Sequence, residues 1–308
     1  MRWAARAGWA VAAVLGAALL ARLLGVERGA VPALTMALLP LLLALSYPLL
    51  LGAVLLRRRR LSAVALALAV AHGLLVAPAT ARSDRPCEGV PLRVAVANLL
   101  YSNPTPAEAG TAVAAQEADV VVLPELTRAG LPAVAAVGAP HSAAVPPRNQ
   151  RSPGLLSRLP LRDVAVPVVG GRDWPRVTVD AGGVPVRVLA VHTLPPNTHG
   201  RQWQQSLRDL DDEVAALDGP VVVVGDFNAD RAHASFRALL DDGVRDAHAE
   251  RGRGLATTWP AGFPVLHLDH VLVRDGGGAR VAVCDVREFA VPGSDHLGVV
   301  ADLAVARG

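Results

Sequence analysis

With 308 residues, 52% of them hydrophobic, and a net charge of +3, the chain can hold one large domain and still has apolar sequence left over. The charge is uneven: residues 1 to about 80 carry eight arginines against one acid, Glu27, and the rest carries 22 arginines against 26 acids. That remainder is net acidic and lacks the basic stripe a nuclease of duplex DNA would present.

Three apolar runs come first, Gly8 to Leu24, Val31 to Leu56 and Leu61 to Ala79. As helices each would be about 25 to 40 Å long, enough to cross a hydrocarbon core of roughly 30 Å. A cleaved signal peptide would account for the first run and leave the other two unexplained. Residues 1–80 are therefore expected to form a membrane domain of three transmembrane helices. Arg2 and Arg6 precede the first run, and Arg57 to Arg60 separate the second from the third. Positive short loops stay on the cytoplasmic side, so the expected orientation is amino terminus inside and carboxy-terminal domain outside the plasma membrane. Arg22 and Arg28 work against this, and Glu27 offsets part of their charge. Residues 81–89, with Pro86 among them, read as a short tether.

Cys87 and Cys284 are the two cysteines, and both lie in the part expected outside. An oxidising compartment would let them pair; the alternative is two unrelated thiols, Cys284 being a small buried residue of a strand.

From Val90 to the end, a single α/β domain of residues 90–308 is expected. The segments RVAVANL, DVVVLPEL, VPVRVLAVHT, PVVVVGDFN, LDHVLV, ARVAVCDVREF and GVVADLAV read as strands of sheets covered on both faces or packed on each other. Between them, Arg201 to Leu217 places Trp203, Leu207, Leu210, Val214 and Leu217 on one helical stripe. Shorter helices are expected over Ala232 to Leu240 and Ala107 to Gln116, and residues 130–155 read as a long loop.

Polar residues gather at the ends of these strands. Asn98 follows RVAVA, Glu125 follows VVVLP, His192 follows VRVLAV, and Asp226 with Asn228 follow VVVVG; Asp269 precedes HVLV, and Asp295 with His296 precede LGVVADL. Antiparallel neighbours would carry all of them to one rim. Singly each has an ordinary explanation: an Asx turn for Asp226 and Asn228, a cap for Glu125, a hydrogen-bonded histidine for His192 or His296. Jointly they supply acids for a hard cation, imidazoles and carboxamides, the set that phosphoryl transfer needs.

These motifs resemble the endonuclease/exonuclease/phosphatase superfamily. The resemblance is carried by VANLLYSN, VVVLPEL, GLLSRLP, AVHT, GDFNAD, LDHVLV and GSDHLGVVADL, which together span residues 92 to 305. It implies a four-layer α/β sandwich, two packed mixed sheets flanked by helices, and hydrolysis of a phosphate ester. It further implies Glu125 as principal ligand of Mg²⁺, with Mn²⁺ as the other candidate, and Asn98 and Asp295 near the metal. Asp226 would position or deprotonate the attacking water, Asn228 and His192 would donate to phosphoryl oxygens, and Asp269 would hold His296. Either Asp226 or His296 can be the general base on this reading.

Three spans followed by such a domain look like the VanJ-type membrane phosphatases, whose implied substrate is a phosphorylated lipid, a polyprenyl pyrophosphate of cell-wall synthesis, with recycling of that carrier and glycopeptide resistance as the implied role. Arg158, grouped with Arg148 and Arg151, is a candidate clamp for a second phosphate, and Trp259 a candidate lipid contact; solvated loop charge and an anchored loop are the plain alternatives. An exported nuclease or phosphodiesterase is the second enzymatic reading, and a non-catalytic membrane-tethered binding module the third.

Overall fold

The computed structural model describes residues 2–146 and 152–308. Five helices come first: α1 (Arg2–Leu23), α2 (Ala30–Ala37), α3 (Leu39–Ala44), α4 (Ser46–Leu55) and α5 (Arg59–Thr80). Of these, α1 and α5 are long and apolar enough to cross a membrane. The middle run is broken: residues 30–37 and 39–55 meet at 59°, so there are three spans only if the bent pair counts as one. Pro40 follows the break and has no N–H to carry a helix through it.

The sandwich then begins with β1 (Val90–Val96), α6 (Pro106–Ala114), β2 (Val120–Leu123), α7 (Leu131–Val137), β3 (His141–Ala143), β4 (Gly154–Ser157) and β5 (Arg162–Ala165). A small hairpin, β6 (Val168–Val169) with β7 (Arg172–Asp173), leads to β8 (Arg176–Ala181) and β9 (Val184–His192). After them come α8 (Pro196–Ala215), β10 (Val221–Asp226), α9 (Ala234–Ala238), β11 (Arg245–Asp246), α10 (Ala247–Glu250), β12 (Asp269–Arg274), β13 (Ala279–Ala290) and β14 (Leu297–Arg307).

Two six-stranded sheets result, ordered β13-β14-β1-β2-β4-β3 and β11-β12-β10-β9-β8-β5. Pairs β1/β2 and β9/β10 are parallel; their other neighbours are antiparallel. Val94, Val96 and Val299 of one sheet and Val188, Val224 and Val271 of the other share the central core. Against the outer faces pack α6 and α7 on one side, through Val113 and Ala133, and α8 and α9 on the other, through Trp203, Leu207 and Phe236. The expected four layers are therefore present, and the stripe predicted on α8 is buried at Trp203, Leu207, Leu210 and Val214. The strand at 176–181 and the short helices α7 and α10 are additions to the sequence reading.

Cys87 and Cys284 form a disulfide with Cα atoms 5.3 Å apart. Cys284 occupies a register shift in β13, between Val283 and Asp285. A bulge there takes the side chain out of the ladder's alternation. Residues 81–89 run along the sandwich: Ser83 N donates to Glu250 O at 2.8 Å, and Arg85 pairs with Asp275 at 2.7 Å.

Helices and sandwich meet in a polar joint. The buried Glu27 carboxylate accepts from Ala234 N, Ser235 N and Oγ, and Gln204 Nε2, so it caps α9 from the far side of the chain. Beside it Arg28 Nε donates to Gln204 Oε1 at 2.7 Å, and His233 Nε2 meets Ala33 O at 3.0 Å. An apolar seam completes the contact, Ala37 and Leu38 packing on Trp259, Val265, Leu266 and Leu268.

Candidate active site

Strand register brings the predicted residues together. Asp226, at the end of β10, lies opposite His192 on β9 and opposite Asp269 on β12. Gly225 before it sits at φ +156°, where a Cβ would strike the Val191 carbonyl, so only glycine lets β10 close against β9 at this point. Glu125 and Asn228 both take left-handed backbone, φ +55° and +47°, a conformation that costs a non-glycine residue about 1 kcal/mol and is held where the surroundings impose it.

Asp269 and His296 form a buried pair, Oδ2 to Nδ1 at 2.8 Å. Burial pulls the His296 pKa down, but the Asp269 charge and hydrogen bond, with Asp226 and Asp295 nearby, raise it to about 10. The ring is thus a cation at neutral pH whose Nε2 stands 4.0 Å from Asp226 Oδ2. Asp226 is pushed the other way for an acid: burial first, then the Asp269 charge, raise it to about 7, with His296 and the Asn228 N–H (2.8 Å) opposing. His192 Nε2 lies 3.9 Å from both Asp226 Oδ2 and Glu125 Oε1. Its carbonyl is held by Arg172 Nη1 (3.3 Å) and Trp174 Nε1 (3.2 Å).

Asn98, expected near the metal, lies between two carboxylates. Its Nδ2 donates to Asp226 Oδ2 (3.0 Å) and toward Glu125 Oε1 (3.4 Å), while its Oδ1 accepts from Leu100 N (3.0 Å). As placed it is a clamp between two carboxylates. Glu125 Oε2 accepts from Tyr101 N at 2.9 Å, and its Oε1 faces Asn98 and His192 in the residue's place on the cavity wall. Asn228 Nδ2 donates to Thr193 O at 3.2 Å, and Asp295 Oδ2 accepts from Trp259 Nε1 at 3.0 Å.

A metal has two seats to consider. Asp226, Asp269 and His296 bring ligand atoms within 4.8 Å of one another and could hold one, and Asp269 Oδ1 is buried with no hydrogen-bond partner. A ring held protonated by Asp269 repels a cation, however, and hard divalent ions prefer oxygen. Glu125, Asp226 and Asp295 line the same cavity with carboxylate oxygens, the kind of donor such an ion favours.

Asn98, Glu125, His192, Asp226, Asn228, Asp269, Asp295 and His296 are all at this centre, and six of these eight, all but Asn98 and Asp269, line one cavity of about 750 Å³ together with Trp259. Arg158 is not among them: β4 runs antiparallel to β2, so Arg158 follows the end that pairs with Val120, a strand length from Glu125, and it lines a hollow beside Cys87 and Cys284 instead. Arg148 and Arg151 lie outside the described residues. Sequence reasoning missed Tyr101 and Arg172, which also line the cavity, and the wall formed by Ala30, Ala33, Leu34 and Ala37 of α2. Arg172 carries no local signal, since an arginine in a GGRDWP turn reads as surface charge.

Residues 95–296 match the model of the Endonuclease/Exonuclease/phosphatase family. The chain is 27% identical over 168 residues to the uncharacterized protein YbhP of Escherichia coli (strain K12), a match covering 52% of this chain and 65% of that protein, just under two thirds of its length. Among solved structures, D. rerio TDP2 complexed with a single strand DNA product superposes with a TM-score of 0.60 at 17% identity, over 69% of this chain and 98% of that one. An endonuclease/exonuclease/phosphatase from Beutenbergia cavernae DSM 12333 gives 0.55 at 21% identity, over 70% and 72%. Identities this low carry the fold and nothing finer.

Proposed function

The chain belongs to the endonuclease/exonuclease/phosphatase family, whose members are typically phosphoester-cleaving hydrolases using divalent metals, and we propose that it hydrolyses the phosphate ester of a lipid at the outer face of a membrane. One observation supports the lipid above all. The cavity that holds Glu125, Asp226 and His296 is closed on one side by Ala30, Ala33 and Leu34 of α2, a helix of the apolar amino-terminal part. A wall of that kind suits a substrate that stays in the bilayer and not a soluble polynucleotide. The Cys87–Cys284 disulfide supports an oxidising compartment for the sandwich, in agreement with the Arg57 to Arg60 loop inside.

In the proposed reaction water attacks the terminal phosphorus opposite the bridging oxygen, the P–O bond to that oxygen breaks, the lipid monophosphate leaves as its anion with orthophosphate as the other product, and the water proton passes to Asp226. Asp226 suits the base because its pKa lies near neutrality. His296, already charged, donates to the phosphoryl oxygens and is kept charged by Asp269. His192 and the Asn228 carboxamide add donors at the same rim. Mg²⁺ or Mn²⁺ would be held by Glu125 with Asp295, tied to Asp226 through Asn98, and would neutralise charge on the phosphate. The substrate class that fits the pocket and the resemblance to VanJ-type enzymes is a polyprenyl diphosphate, with carrier recycling as the role.

The test is phosphate release by the full-length protein in detergent with Mg²⁺, undecaprenyl diphosphate and single-stranded and duplex DNA being offered in parallel. Release from the lipid with intact DNA is expected. Cleaved DNA with an untouched lipid would keep the site and overturn the substrate.

A further inference from the structure

Behind the wall formed by α2 lies a second cavity of about 660 Å³. Pro40, Leu41 and Ala44 of α3 line one side and Leu74, Leu75 and Pro78 of α5 the other, with Phe263, 78% exposed, on the sandwich side. Ala37 lines this cavity and the catalytic one alike. Between the two runs the segment 265–267, of which Leu266 faces the catalytic cavity and Val265 the second. We propose that this cleft is the seat of the substrate's hydrocarbon chain, the phosphate entering the catalytic cavity while the chain passes over Ala37 to lie between α3 and α5.

The inference rests on the lipid reading above and adds where the chain goes. Three observations select this occupant. The cleft is bounded by α5 and by the bent pair, the helices apolar enough to meet lipid, and Leu41 and Leu74 beside it are themselves exposed. It abuts the site where a phosphoester would be cut, so a molecule with a polar and an apolar end fits both cavities at once. Of the four charged residues that line it, Asp230 accepts from Ala232 N and His233 and Arg237 donates to the carbonyls of Arg231 and Ala232, while Arg22 and Arg231 are the other two and Arg22 Nε is buried without a hydrogen-bond partner. The charge is confined to those residues, whereas Pro40, Leu41 and Ala44 of α3 and Leu74, Leu75, Val76 and Pro78 of α5 are apolar, His72 being the polar exception with its Nδ1 against Tyr47 Oη at 3.1 Å.

The experiment compares undecaprenyl diphosphate with the short farnesyl diphosphate in the full-length protein and in two cleft-filling variants on opposite walls, Ala44→Trp and Leu74→Trp. A chain seat that contributes binding alone predicts a KM for the long substrate raised roughly tenfold, with kcat and all constants for the short one within a factor of about two. The short substrate also reports that each variant is folded. Unchanged constants for the long substrate in both variants would overturn the cleft and leave the lipid reading standing. Equal loss on both substrates would also overturn it, making the cleft packing or the seat of a bystander lipid. No hydrolysis of either diphosphate by the unaltered protein would remove the lipid reading and the inference with it.

Discussion

The sandwich and the amino-terminal helices solve different problems with similarly apolar sequence. In the sandwich, valines of both sheets are fully buried against each other and the polar residues are driven to strand ends. In the helices only 22% of the most apolar window of α1, and the same share of α5, is buried, and Val14, Leu20, Leu51 and Leu66 face outward. The first region buries its apolar residues on itself; the second leaves many of them on its surface, and its two longest helices are long and apolar enough to cross a membrane. Their difference teaches where to look for function, because a place where buried polar groups join the two, Glu27 with α9 and Ala33 with His233, lies beside the candidate catalytic cavity.

The largest effect should come from inside the sandwich. Asp226→Ala removes the group facing His192, His296 and Asn98, and is expected to lower kcat about 10³-fold or more with the fold retained. Steady-state phosphate release together with circular dichroism checks this, and a loss under tenfold would move the base elsewhere.

Asp269→Asn is next, at about 10²-fold, and it carries a pH signature. His296 is raised above its ordinary value, so its charged form is favoured by folding, fully below about 6.5 and lost as pH rises through about 10. Without the Asp269 charge that upper limit falls. The alkaline limb of the kcat profile should therefore move to lower pH, which a merely structural lesion would not produce.

Across the joint, Glu27→Ala strips α9 of its cap and leaves Gln204 without its acceptor, for an expected loss of about 2 to 3 kcal/mol. A lower unfolding midpoint in detergent and faster proteolysis at residues 81–89 would show it. Unchanged values would mean that the Glu27 carboxylate does not help hold the two regions together.

The smallest effect concerns the cation. Asp226 is raised from 3.8 to about 7 on folding, so without metal its contribution to stability is greatest below 3.8 and declines as pH rises to 7. A cation favours the ionised form and reverses that decline. Added Mg²⁺ should therefore raise the unfolding midpoint by more above about pH 7 than below about pH 5. An equal shift at both would place the ion away from Asp226.

Much of the site was legible because strand termini announce themselves: VVVVGDFN and SDHLGVV show an apolar run meeting acids, and register then does the assembly. Legibility stopped where meaning depends on a distant partner. The run from Val31 to Leu56 reads as a span, and nothing in its hydropathy says that residues 30–37 turn aside to wall the candidate catalytic cavity; Pro32, Pro40 and Pro48 interrupt the run, and only Pro40 stands at the break. Arg158 looked close in GLLSRLP, but a four-residue strand carries it to the wrong end of the sheet. Arg172 and Asn98 show the same limit, since their contacts come from residues far along the chain.

The most direct test of the central claim is phosphate release from undecaprenyl diphosphate by the full-length protein, with and without divalent cation, beside Glu125→Ala. The account predicts release that needs the cation and falls at least about 10²-fold in the variant. Equal release by the two proteins, or release indifferent to chelation, would contradict it.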